Sequence, residues 1–176
     1  GISPAETRQA INVADAAEKQ FHDEMHQTGK AVLDEVTANG SYAVILASRP
    51  YQNDALVNHD LPEMFTSLGI PVLTADSLEE ADHVDLSMSR LDIVNNYHAR
   101  MLSTAILAAR NPHLEYVQIV SFGCGHDAYL SDEIIRLMKQ VSGKISLILK
   151  LDESEIQGPL RIRVRSFIET IRMQRE

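Results

Sequence analysis

Hydrophobic residues along this chain fall into two rhythms. Ile11, Ala14, Phe21, Met25, Val32, Leu33 and Val36 recur at roughly the spacing of a helix turn. Ahead of them Ser3-Pro4-Ala5-Glu6 reads as a capping box with proline just inside, and behind them Asn39-Gly40 reads as a stop. Residues 1–40 are therefore expected to form a long amphipathic helix packed on the domain that follows. Beyond Gly40 the rhythm changes to short apolar runs bounded by glycine and proline. Tyr42 to Ala47 is continuous enough to be a strand covered on both faces, and Ile70 to Thr74, Val117 to Val120 and Ile145 to Lys150 read as three further strands. The first run belongs at the sheet centre, and Pro71 suits the second to an edge. Helical patterns separate the runs, from Leu61 to Gly69, from Ile93 to Arg110, from near Ser131 to Gly143, and from Gly158-Pro159 onward. This alternation predicts an α/β fold over residues 41–176: a doubly wound, Rossmann-like parallel sheet of about four strands.

A parallel sheet brings its strand ends to one edge, where open α/β folds place ligands. Val117 to Ser121 runs into Phe122-Gly123-Cys124-Gly125-His126-Asp127, in which two glycines bracket the only cysteine. Glycines there let the backbone turn sharply and come close to a ligand. The same edge collects Arg49 and Tyr51 after the first strand, Asn58 and His59 beyond them, Thr74 after the second, and Asp152 and Glu153 after the fourth. With Ser121, Gly123, Gly125, His126, Asp127 and the helix residues Arg161 and Arg163, these make up the candidate crevice. Arg49 offers a fork for a phosphate or carboxylate, or a partner for a structural acid, with Asp152 or Glu153 the expected one. Cys124 is read either as a functional thiolate or as a small residue filling a tight turn. A nucleophile paired with His126 or His59 is a further alternative; no residue is assigned a catalytic role.

Composition narrows the choices. At 176 residues, 44% of them hydrophobic, the chain supports one well-buried core. A net charge of -9 argues against nucleic acid or an anionic membrane as partner. One cysteine forms no internal disulfide and completes neither a tetrahedral zinc site nor an iron–sulfur site. No apolar run is long enough to span a bilayer, so a cytoplasmic location is expected. His22 and His26 stand one turn apart, a spacing open to metal, but the residues between them complete no ligand set, and a solvated polar face is the expectation. The acidic stretch from Asp76 to Asp92 matches no calcium loop. An opening of Gly1-Ile2-Ser3 without methionine suggests a piece of a longer protein.

Four ordered blocks carry a family resemblance. They are Ser48-Arg49-Pro50-Tyr51 with Asn58-His59-Asp60-Leu61-Pro62, Leu68 to Ser77, Ser121 to Ala128, and Leu151-Asp152-Glu153 followed by Arg161 to Ser166. Together they resemble the uncharacterised domain of the large proteins related to the 2-hydroxyacyl-CoA dehydratase activator, from about Tyr42 to Phe167. The family pattern has glycine in place of Ser48 and histidine in place of Gln52. The resemblance implies a Rossmann-like domain of a very long protein engaged in ATP-driven, low-potential electron transfer in anaerobic acyl-CoA metabolism. It makes Cys124 a candidate ligand of a [4Fe-4S] cluster in the full-length protein. Partner domains would be the ATPase activator and dehydratase-like domains, and no cluster is expected in this piece alone. The alternative is a non-catalytic binding module that recognises an acyl-CoA or a partner domain through Arg49 and the terminal arginines.

Overall fold

Strand β1, Ala43–Ala47, is buried at all five positions, as its unbroken apolar run requires. In the computed structural model, which describes residues 1–93, 95–121, 123–151 and 157–175, it sits inside a four-stranded sheet of order β2-β1-β3-β4. The other strands are β2 (Val72–Thr74), β3 (Leu114–Ser121) and β4 (Ser146–Leu151), and every pairing is parallel. Leu46 lies opposite Thr74 on one side and Val117 on the other. β2 is an edge strand, as Pro71 suggested.

Alternate residues of the strands feed two apolar layers, so the sheet is wound on both faces. Ala43, Ile45, Ala47, Leu114 and Tyr116 face helices α4 (Asn96–Arg110) and α5 (Gly125–Val141) and the last turns of α1 (Pro4–Ala38). Val44, Leu46, Val117, Ile119 and Leu149 face the short helix α3 (Leu61–Thr66) and α6 (Gln157–Arg175). A single turn, α2 (Ala55–Asn58), links β1 to α3.

Helix α1 begins as its sequence predicts, with a reciprocal bond pair between Ser3 and Glu6. Its 35 residues span about 50 Å, yet residues 1–21 are exposed throughout and the helix buries only Gly29 and Val36. Contact begins at Gly29, where a Cβ would stand 2.1 Å from the Ser77 carbonyl oxygen. Among the described residues no helix is long and apolar enough to cross a membrane.

Two helix starts differ from the sequence reading. α4 begins at Asn96 rather than Ile93, capped by the Asn95 side chain. α5 begins at Gly125 rather than near Ser131, and its cap residue is Cys124 itself. Ser131 lies nearly two turns inside, with its hydroxyl donating to the Asp127 carbonyl at 2.6 Å.

Candidate functional site

The strand order reverses at β1, which connects to β2 on one side and has β3 on the other. A crevice outside the carboxyl ends of β1 and β3 is the consequence, and open α/β sheets bind ligands at such a reversal. Arg49 leaves β1 in extended backbone, and a 3-10 turn, Pro50–Asn53, folds Gln52 back so that its side-chain Oε1 accepts from Arg49 N at 2.8 Å. β3 ends at Ser121, and Gly123 turns the chain at φ 54°, a left-handed conformation that favours glycine. Cys124 then opens the 17-residue helix α5 with Asp127 in its first turn.

Arg49 joins the two strand ends. Its Nη2 donates to Cys124 Sγ at 2.9 Å and to Asp127 Oδ1 at 2.7 Å. The second oxygen of buried Asp127 accepts from the Ser121 backbone N–H at 3.1 Å, which locks α5 to the end of β3. Ser121 Oγ in turn meets the Tyr51 hydroxyl and the Gln52 amide, both at 2.8 Å. Tyr97, in the first turn of α4, lies with its ring centroid 5.8 Å from the Arg49 guanidinium carbon. His98 follows it, with its ring 5.9 Å from that of His126.

The backbone N–H of Asp127, then the Arg49 guanidinium and the His126 N–H, hold the Cys124 thiol below its ordinary range. The positive end of α5 acts in the same sense. Burial opposes the charge on Arg49, but Cys124 and Asp127 more than offset it and keep the guanidinium charged. Burial, then His126 and Arg49, pushes His98 below the usual histidine value and favours its neutral form.

Several buried polar atoms here lack a partner: Arg49 Nε, His98 Nε2, and both side-chain atoms of Gln118. Gln118 stands opposite Ala47 in the sheet, beneath the same edge. A buried donor left unpaired costs about 1–3 kcal/mol, so unpaired groups gathered at one end of a sheet call for an explanation.

The remaining described residues of the expected crevice take other places. Buried Asn58 shapes its own loop, donating to the Asn53 carbonyl and accepting from Asp60 N. His59 and Asp60 both take left-handed backbone, φ 54° and 57°. Thr74 ends β2, and its carbonyl accepts from Ser77 Oγ. Gly125 is the first residue of α5. Arg163 donates to the Ile148 carbonyl, and Arg161 lines a cavity of about 300 Å3 between α3 and α6, on the other face of the sheet. Asp152 and Glu153 lie outside the described residues; the acid that Arg49 meets is Asp127. Gln52, Tyr97 and His98 enter the site without having been singled out as site residues from the sequence. Gln52 carried a signal, since the family pattern has a polar histidine there.

A cavity of about 470 Å3 adjoins the group, lined by Ser48, Asp76, Asn95, Tyr97 and Arg100 among others. Arg100 pairs with Asp76 across it. Among the described residues no three His, Cys, Asp or Glu side chains are placed to hold a metal ion. A [4Fe-4S] cluster takes four thiolates, so the single cysteine here does not fit one by itself.

No curated protein and no solved structure matches the chain. A family model does match, and the stretch it covers holds the Arg49 block and the Leu68 to Ser77 block, whereas the cysteine and arginine blocks lie beyond it. That family is the one the sequence blocks resemble: over residues 1–78 the chain matches the CoA enzyme activase uncharacterised domain.

Proposed function

We propose that this chain is a recognition domain of a CoA enzyme activase-related protein, and that it works through the thiolate held at the β1/β3 crevice. One observation supports the reading above others: Cys124 sits at the start of a long helix with Arg49 Nη2 2.9 Å from its sulfur. The sulfur is half-buried and so still reachable from solution, and the Asp127 N–H and the Arg49 guanidinium hold its thiol below the ordinary range. In the setting that the resemblance implies, the parent protein carries out ATP-driven, iron–sulfur-dependent electron transfer in anaerobic acyl-CoA metabolism. The domain's part is recognition of an acyl ligand or of a partner domain, while the ATPase and the thiolates that complete a cluster come from elsewhere in that protein.

Native alkylation tests the reading. Cys124 is expected to react with iodoacetamide along a single titration centred below the ordinary thiol value of about 8.5. Arg49→Lys, which loses the fork, is expected to move the midpoint up. An inert native thiol, with Cys124→Ala lowering only the melting temperature, would make the cysteine structural and overturn the proposal.

A further inference from the structure

The half of helix α1 that stands clear of the domain is not polar all round. Ala10, Val13, Ala14, Ala17 and Phe21 share one face at helical spacing, with Val13 64% and Phe21 62% exposed. At about 3.6 residues per turn that face lies roughly a quarter turn round the helix from Gly29, Val32, Leu33 and Val36, which pack on the domain. The chain's own core therefore leaves it in water. Glu6, Glu18 and Glu24 border the stripe, whereas Arg8 and Lys19 fall on the far side of the helix. Helix α6 has a complementary outer face. Leu160, Val164, Phe167 and Ile171 point into the core, while Ile162 and Met173, 71% and 75% exposed, stand on the solvent side about three turns apart. Arg165 and Arg172 run alongside them, both exposed.

We propose that these two faces meet between copies of the chain: the free half of α1 of one protomer lies along α6 of a second, and the exchange is reciprocal about a two-fold axis. Charge selects this occupant. Helix α1 carries seven acidic residues against three basic ones, and α6 five arginines against one acid. A second α1 would set Glu6, Glu18 and Glu24 against their own kind, whereas α6 sets them against arginine. Arg172 makes an exposed pair with Glu169, which a better-sheltered acid can replace. Length and register agree. Residues 4–21 run for about 27 Å and α6 for about 28 Å, so the two helices match end to end. Ala10 and Phe21 are eleven positions apart, as are Ile162 and Met173, so both apolar pairs meet at once and the alanines allow close approach. Each protomer gives one α1 and receives one, which closes the assembly at two.

Light scattering on the purified chain at about 100 μM is expected to give a dimer in low salt, with a dissociation constant that rises about tenfold or more in about 0.5 M salt. Two double variants carry the test: Arg165→Glu with Arg172→Glu on α6, and Glu18→Arg with Glu24→Arg on α1. All four positions are exposed, so each variant is expected to keep its circular dichroism and to become monomeric. Mixed in equal amounts, the two variants are expected to form a dimer again, because each reversed helix finds a reversed partner. Ala17→Glu, within the apolar stripe, is expected to give a monomer that mixing does not rescue. A native chain that is monomeric at this concentration overturns the inference. So does a dimer that survives the α6 reversal, which would place the contact elsewhere, or between two α1 helices if the α1 reversal alone abolishes it. Folded variants that stay monomeric when mixed overturn it as well.

Discussion

Asp127 carries more of the crevice than Cys124 does. Its two oxygens hold the Arg49 guanidinium and the Ser121 N–H, and both ions of the pair are largely sheltered from water. Removing one partner of such a pair leaves the other charge uncompensated, so Asp127→Ala is expected to cost about 3 kcal/mol in urea unfolding. A loss under about 1 kcal/mol would mean that Arg49 is held by other contacts. Cys124→Ala removes a half-buried sulfur and is expected to cost about 1 kcal/mol or less. His98 adds a pH dependence. Its folded value lies below the ordinary 6.5, so the unfolded chain binds the proton first and stability falls as pH drops from about 6.5 toward the lower folded value. Melting temperatures measured across that window are expected to show the slope, and His98→Phe to flatten it. The sequence did not expose these roles because an aspartate in a helix's first turn and a histidine on its buried side look ordinary until two strands bring them together.

Helix α1 packs on the domain through its last turns, and Gly29 is where its backbone comes close to the Ser77 carbonyl. Alanine is the better helix former by about 1 kcal/mol, which would favour Gly29→Ala in an isolated helix. Here the new Cβ would meet the backbone carbonyl of Ser77, which cannot rotate away as a side chain can. The clash outweighs the propensity, and Gly29→Ala is expected to lower the urea midpoint, with a net loss of stability of up to about 2 kcal/mol, roughly the cost of overpacking less the propensity gain. A midpoint that rises instead would mean that α1 shifts at little cost. Strand β1 was legible because both its faces are buried, which leaves the continuous apolar run Val44-Ile45-Leu46. The first turn of α5 was not. Asp127 in that turn faces Arg49 rather than a core, so the buried apolar positions of α5 begin only at Leu130. The residues that build the site are thus the ones that the pattern passes over.

At the scale of the whole molecule, the parallel order β2-β1-β3-β4 carries the Arg49 and Cys124 loops to one crevice although they lie 75 positions apart in sequence. Alternating strand and helix patterns announced that edge, but not which loops would touch across it, because strand order is a property of the assembled sheet. The same topology bears on iron. A cubane requires four thiolates, one copy of the chain supplies one, and two copies sharing a crevice would supply two. Imidazole and carboxylate groups do not fill the gap, since no three such side chains converge with Cys124 among the described residues. The chain incubated anaerobically with ferrous iron and sulfide, then desalted, is therefore expected to stay colourless and to retain less than about one iron per chain. Iron and sulfide analysis with the visible spectrum provides the measurement. About four irons and four sulfides per chain, with the brown absorption of a cluster, would refute the expectation and require that non-cysteine groups or a higher assembly complete the site.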